Sequence, residues 1–388
     1  MSRNRFWLGV GLVSLGAFSS SCKKESPPPV PQPAAVAAAP ASAAPAEAAP
    51  AEAVPAAEPA KPKMSYEKLV SFFRLPAAAA AAAAKAAVKP EDTEARVKLG
   101  HMLFFENRLS KNHDISCNSC HDLATFGVDG KATSEGHKGQ KGTRNAPTVF
   151  HAAGHIAQFW DGRAATLEEQ ASGPMMNPLE MAMPGEKRVL ATLNSIPEYV
   201  KAFKAAYPGD KKPVSVTNAA RSIAAFERKL MTTSRFDKFL AGDESALTEQ
   251  ERRGLELFAG AGCTTCHNGP AVGGTSFQKL GLIEEYPTED KGRFAVTKNE
   301  EDLHKFRVPT LRNVEKTGPW FHDGSVKELP QAVRLMAKHQ LGMSFSDAEV
   351  GDLVAFLKSL TGELPGPEVT APPALPPSSR TTPKPDPT

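Results

Sequence analysis

The chain has 388 residues, enough for two domains of ordinary size with accessory segments. Hydrophobic residues make up 41% but aromatics only 7%, so alanine rather than large core side chains carries the apolar content. A net charge of +3 gives no electrostatic case for nucleic acid and no basic face for docking a partner.

In chain order, Arg3 and Arg5 precede an apolar run from Phe6 to Phe18, which Ser19, Ser20, Ser21 and Cys22 close. This is the grammar of an export signal over residues 1–22, and it predicts a periplasmic protein. A cysteine after small residues suggests acylation of Cys22 and a membrane tether. Ser19 stands where such sites usually carry a large aliphatic residue, so cleavage near Ser21 with an incidental cysteine is the plainer alternative. The apolar run is short of the roughly 20 residues a bilayer span requires, so a lipid anchor is the only membrane attachment expected. Residues 23–63 are alanine, proline and glutamate for the most part, a composition that predicts a disordered linker. The alanine-rich run from Ala77 to Ala87 is helical by propensity and carries no chemistry.

The central region repeats itself. Helices are predicted over Glu94–Phe105 and Glu249–Phe258, the second opened by a Thr248/Glu251 capping box. Each is followed by a Cys-x-x-Cys-His motif, Cys117, Cys120 and His121 in one half and Cys263, Cys266 and His267 in the other. Pro147 and Thr148 precede Phe159, Asp161, Gly162 and Leu167 at the offsets by which Pro309 and Thr310 precede Phe321, Asp323, Gly324 and Leu329. Further helices are read over Thr217–Leu230 and, with a Ser346/Glu349 capping box, over Ser346–Leu360. Strand signals are nearly absent. The tail over 364–388 is proline-rich and reads as disordered.

Two thiols at this spacing form thioethers to both vinyl groups of a haem while the adjacent histidine turns to the iron. A redox disulfide needs no such histidine, and zinc needs four ligands. Two covalently bound haem c groups are therefore expected, supplying the apolar bulk that aromatic side chains do not. The predicted fold is mainly α, two cytochrome c-like haem domains with long loops, over 64–240 and 241–363. The sixth ligand separates an electron carrier from a site that binds small molecules. In the second half the separation of Met336 from His267 permits its return to the iron, with Met343 as competitor, whereas the equivalent position in the first half is Pro174, which cannot ligate, with Met175 and Met176 one and two places away.

The stretches FFENRLS, SCNSCHDL, GHKGQKGTRNAPTVF, AQFWDGRAATLEEQA, NPLEM, GCTTCHNGP, DKGRFAVT and FHDGSVKELPQAVRLM resemble the bacterial di-haem cytochrome c peroxidases, over roughly residues 95–362. The resemblance implies a peroxidatic haem at Cys117, Cys120 and His121, and an electron-accepting haem at Cys263, Cys266 and His267 with Met336 as its second axial ligand. It implies that His137 is the removable ligand of the peroxidatic haem, in a loop whose glycines Gly136, Gly139 and Gly142 permit movement. Glu180 matches the acid-base residue, Gln170 a second polar group that orients peroxide or water, and Trp160 the ring between the haems. Asn145, with the carbonyls of Thr317 and Pro319, matches a calcium site. Without the resemblance, His137 reads as a solvated loop histidine, Glu180 as a surface carboxylate and Trp160 as packing.

Related di-haem enzymes that mature a tryptophan-derived quinone place a tyrosine where Met336 stands. None of Tyr66, Tyr199, Tyr207 and Tyr286 falls near it in sequence. His101, His113, His151, His155, His304, His322 and His339 are read as surface or loop residues, and Trp320 as packing. The expected activity is reduction of hydrogen peroxide with electrons from a small cytochrome c or cupredoxin, with a homodimer as a family expectation. The alternative is a di-haem electron-transfer cytochrome without peroxidase activity.

Overall fold

A computed structural model describes residues 64–74 and 89–388. The predicted signal, Cys22, the linker and the alanine run lie outside the described residues. The described residues all fall in one compact unit. Its helices, in order, are α1 (Tyr66–Ser71), α2 (Glu94–Phe104), α3 (Cys117–Cys120), α4 (Leu167–Met176), α5 (Glu186–Asn194), α6 (Pro197–Ala206) and α7 (Val216–Glu227). Then follow α8 (Arg235–Leu240), α9 (Glu249–Gly260), α10 (Phe294–Thr297), α11 (Leu329–Met336), α12 (Asp347–Ser359) and α13 (Pro367–Thr370). The strands β1 (Thr233–Ser234), β2 (Phe277–Lys279), β3 (Lys305–Arg307) and β4 (Gly362–Glu363) form two antiparallel pairs, β1 with β4 and β2 with β3. The mainly helical expectation holds.

Both predicted capping boxes form: Thr248 and Glu251 exchange hydrogen bonds at the start of α9, and Ser346 and Glu349 do so before α12. The duplication is written into the backbone as well as the sequence. His151, Phe159 and Gly162 take left-handed φ values of 62°, 65° and 66°, and their counterparts Asn313, Phe321 and Gly324 take 60°, 68° and 62°. Isolated bridges join Gln158 to Ala164 and, at the same offset, Trp320 to Val326.

Each half closes around one tight helix crossing. α2 packs on α7, and a Cβ added to Gly100 would come within 1.9 Å of the Ser222 carbonyl oxygen. α9 packs on α12 in the same way, with Gly254 against the Asp352 carbonyl at 1.9 Å. Only glycine permits so close an approach. Gly254→Ala is therefore expected to force the pair apart and lower stability by about 1–3 kcal/mol, the usual cost of overpacking. Chemical denaturation of the holoprotein measures it, and an unchanged midpoint would show that the crossing is not tight.

Two cores result. The first gathers Leu103, Phe104, Phe150, Tyr199, Phe203 and Phe226, the second Phe236, Phe239, Leu255, Phe258, Leu353 and Phe356. Core packing crosses the predicted limit near residue 240: residues 64–74 and 235–240 precede the second motif, yet Leu69, Val70 and Phe73 of the α1 segment pack with Phe236 and Phe239 in the second core. The Tyr66 hydroxyl donates to the Phe239 carbonyl at 2.9 Å.

The proline-rich tail is not disordered but runs over the first half. Leu364 and Val369 pack on its core, and Arg108 donates to the Pro376 carbonyl at 2.8 Å. Arg188 donates to the Lys384 carbonyl, and the Asp386 amide to the Lys111 carbonyl at 3.0 Å. An extended proline-rich chain leaves its carbonyls unpaired, and here basic side chains of the first half supply donors. Composition counts the missing apolar residues but cannot see these donors.

Candidate active site

The capping of α3 presents the first motif: the Ser116 amide donates to the Ser119 hydroxyl at 3.0 Å, and the His121 amide to the Cys117 carbonyl at 3.0 Å. The His121 Nδ1 lies 3.3 Å from the Gly127 carbonyl, which leaves Nε2 for a metal. In the second motif the His267 amide bonds the Cys263 carbonyl at 2.9 Å. Its Nδ1 makes no regular hydrogen bond, though the carbonyls of Val272 and Pro309 favour a proton there. Burial lowers the pKa of both histidines, that of His267 to about 4, so each ring is the neutral form an iron ligand must be. None of the four motif cysteines forms a disulfide, which leaves all four sulfurs for thioether attachment.

A cavity of about 460 Å³ opens against the second motif, lined by Cys263, Cys266, His267, Phe258, Leu353 and Met336. Unlike Met336, Met343 is 41% exposed and does not line it. Tyr286 stays outside the lining too, its ring edge-on to His339 and its hydroxyl 3.2 Å from Ser325. An apolar cavity beside paired thiols and a neutral imidazole fits a covalent haem.

Trp160 is buried in the wall of this cavity, and its indole N–H donates to the Asn145 carbonyl at 2.9 Å. Asn145 lines the cavity with Thr317 and Pro319; its amide donates to the His322 carbonyl and its Nδ2 to the Lys131 carbonyl, so Oδ1 remains. Among the described residues no three His, Cys, Asp or Glu gather as a metal site, so a cation here would rest on amide and carbonyl oxygens. Next to Asn145, Arg144 ties the halves together, binding Asp290 at 2.6 and 2.8 Å and Asp161 at 2.5 Å.

In the first half, His137 is 5% exposed, and its Nε2 is buried with no partner in the fold. The solvated-loop alternative is therefore excluded. Its loop is closed by a bridge between Glu135 and Lys141 and turns through left-handed Lys138 and Gly139. Gly136 is needed for contact, since a Cβ there would meet the Leu179 carbonyl at 1.9 Å; nothing crowds Gly142. The His137 amide donates to the Glu180 carbonyl at 2.8 Å, joining the two candidate groups directly.

The Glu180 carboxylate accepts from Asn177 at 2.7 Å, and burial raises its pKa against the pull of Arg163 and Asn177. It lines a pocket of about 310 Å³ with Phe159, Arg163, Glu169 and Asn177. Gln170 is half-buried on α4 and outside that lining, where its neighbour Glu169 stands instead. Arg163 and Asn177 carry no signal of their own in the sequence, and Phe159 stands out there only as part of the repeat, although Phe159 and Arg163 bound the FWDGR word that holds Trp160.

Of the histidines expected at the surface or in loops, His151, His155 and His322 do lie in loops, but His151 and His322 are buried and both ring nitrogens of His155 are buried without partners; His339 is buried in a helical turn. His339 is engaged through Nδ1 with the Glu284 carbonyl at 3.0 Å. Trp320 packs on the second core as expected, its N–H on the Val314 carbonyl.

A buried carboxylate also escaped the sequence reading. Glu227, at the end of α7, is 4% exposed with Oε2 unpartnered, and burial pushes it up to about 8 despite Arg228. The folded chain holds it protonated, so its contribution is present below the ordinary carboxylate range and is lost as the pH rises through about 8. Glu227→Gln is expected to raise the unfolding temperature at pH 9, by up to a few kcal/mol in free energy, and to change little at pH 4. An equal effect at both pH values would contradict this.

The family model for di-haem cytochrome c peroxidase matches residues 94–245, and that for cytochrome c matches residues 251–361. The cytochrome c551 peroxidase of Nitrosomonas europaea is 49% identical over 77% of this chain and 88% of its own length. That of Pseudomonas aeruginosa is 48% identical over 76% and 85%. A solved MauG-like protein associated with microbial copper homeostasis is 31% identical, with a TM-score of 0.65 over 72% of this chain and 92% of that one. The chain belongs to the di-haem cytochrome c peroxidase family.

Proposed function

We infer that this protein reduces hydrogen peroxide to water at the first haem site with electrons passed on from the second. The observation that carries the reading is the difference between the halves. Met336 lines the His267 cavity, whereas the first half offers His137 on a loop that turns through Gly139 and whose amide bonds the Glu180 carbonyl. His121 and His137 would hold one iron, His267 and Met336 the other, and bound haem supplies the redox chemistry at each site.

The chain's own groups supply the proton chemistry. Glu180 takes a proton from one peroxide oxygen and returns it to the oxygen that leaves as water. Two electrons and two protons in all convert one peroxide to two waters. Asn177 orients the carboxylate, Arg163 adds positive charge beside it, and Gln170 is assigned a role in orienting peroxide or water once the His137 loop has moved. Trp160 shortens the path between the haems.

The electron donor is a small cytochrome c or cupredoxin. A calcium ion is assigned to Asn145, Thr317 and Pro319, supported by their shared cavity and the free Asn145 Oδ1, with waters completing the shell. Export to the periplasm, a lipid anchor at Cys22 and pairing of two copies complete the reading. Among the described residues no helix is long and apolar enough to cross a membrane.

Electronic and EPR spectra of the calcium-loaded protein test it, recorded fully oxidised and after one electron per molecule, each with a small excess of peroxide. Formation of a high-spin haem that consumes peroxide supports the reading. Two haems that remain low-spin and inert in both states would make the chain a di-haem electron carrier instead.

A further inference from the structure

Among the described residues the other arginines drawn out of water come with carboxylates. Buried Arg312 binds Asp237 at 2.7 Å, buried Arg228 binds Asp92, and half-buried Arg144 binds Asp161 and Asp290. Arg307 breaks the pattern. It is 2% exposed, and among the described residues no carboxylate pairs with it. Burial alone pulls its pKa down to about 10.

Its side-chain hydrogen bonds within the fold are two long ones of 3.4 Å, to the carbonyls of Phe159 and Val308. A guanidinium has five N–H donors, and a buried charge is costly unless an anion accompanies it. β3 sets Arg307 in the wall of the larger cavity, its backbone amide on the Trp160 carbonyl at 2.8 Å.

His155 lines the same cavity, and both its ring nitrogens are buried and unpartnered. Burial, with the Arg307 charge second, disfavours protonation of its ring. Gly274 presses on the imidazole so closely that a Cβ there would lie 2.3 Å from Cδ2, which fixes the ring in place. One unpaired cation and one neutral donor thus share a wall of the cavity assigned to a haem.

We propose that Arg307 is the counter-charge for a carboxylate of the haem in this cavity, that His155 donates a hydrogen bond to it, and that Arg307 thereby sets that haem's potential. The proposal rests on the two-haem reading above. Haem carries two propionate groups, and a planar guanidinium matches a carboxylate bidentately. Reduction lowers the positive charge on the iron, so a carboxylate left without its counter-cation favours the oxidised haem. Arg307 accordingly raises the potential, from a position bonded to the backbone of the bridging Trp160. It is a positioning residue that acts through the haem.

The test uses the full-length holoprotein and the variants Arg307→Gln, Arg307→Lys and His155→Gln. Haem-to-protein ratio and intact mass come first; fewer than two haems in the unaltered protein would overturn the two-haem reading by itself. Spectroelectrochemical titration then follows each haem. The expected result is a lowered midpoint for the haem at Cys263, Cys266 and His267 in Arg307→Gln, substantially restored in Arg307→Lys. A fully loaded Arg307→Gln protein with an unchanged midpoint would overturn the assignment. Should Arg307→Gln fail to load, the resonance Raman propionate-bending band decides between the unaltered protein and His155→Gln: a shift supports the shared carboxylate, and an identical band overturns it.

Discussion

Replacing Glu180 by glutamine is expected to lower kcat/KM for hydrogen peroxide by about 10²–10⁴-fold, the usual worth of a positioned acid-base group. Haem content and both haem potentials should stay as they are. The side chain is nearly isosteric, and Asn177, which holds the carboxylate at 2.7 Å, can still bond the amide oxygen. What the variant loses is the capacity to take up the peroxide proton. Because burial raises the Glu180 pKa, the carboxylate form needed as base disappears as the pH falls through a value above the ordinary 4.5. The unaltered enzyme should therefore show an acid limb above pH 4.5 that Glu180→Gln lacks. Stopped-flow rates across pH decide it, and a variant with the full rate and the same limb would remove Glu180 from the chemistry.

His137→Gly should have the second large effect, on readiness rather than on the chemical step. The imidazole is buried with Nε2 unpartnered, as expected of a ring that meets a haem iron on its free side. Taking it away leaves the first haem open in the fully oxidised protein. Oxidised His137→Gly should show a high-spin EPR signal before any reductant is added, and should react with peroxide about as fast as the half-reduced unaltered enzyme. The backbone bond from residue 137 to the Glu180 carbonyl survives the change, and so does the bond from Asn177 to the carboxylate. An oxidised variant that stays low-spin and inert would mean that something other than this side chain closes the site.

Much of this was legible in sequence because the chemistry is local there. The Cys-x-x-Cys-His words specify thioether attachment and one axial ligand without reference to the rest of the fold. The capping boxes at Thr248 and Ser346 mark helix starts that the structure reproduces. The offset shared by the Phe159 and Phe321 turns appears as a shared left-handed backbone.

What escaped the reading depends on partners distant in sequence. Nothing near Gly100 or Gly254 announces that another helix's carbonyl lies against it. A loop histidine looks the same in sequence whether it is solvated or buried, so the burial of His151, His155 and His322 is not legible there. Arg307 stands out only when every other buried arginine has been paired. Gln170 and Glu169 are neighbours on one helix, and only the turn of α4 decides which reaches the Glu180 pocket.

Two flanking segments cross over: α1 buries its apolar face in the second core, and the tail from Leu364 lies on the first half. A ribosome makes α1 long before the residues that cover it, and makes the tail after everything it fastens. The second half cannot close over α1 until α12 exists, and the first half receives the tail only after that, so the order of closure runs against the order of synthesis. A fragment cut between the haem motifs would carry away the finishing piece of its neighbour, and the two modules that the sequence repeats are, as folding units, one.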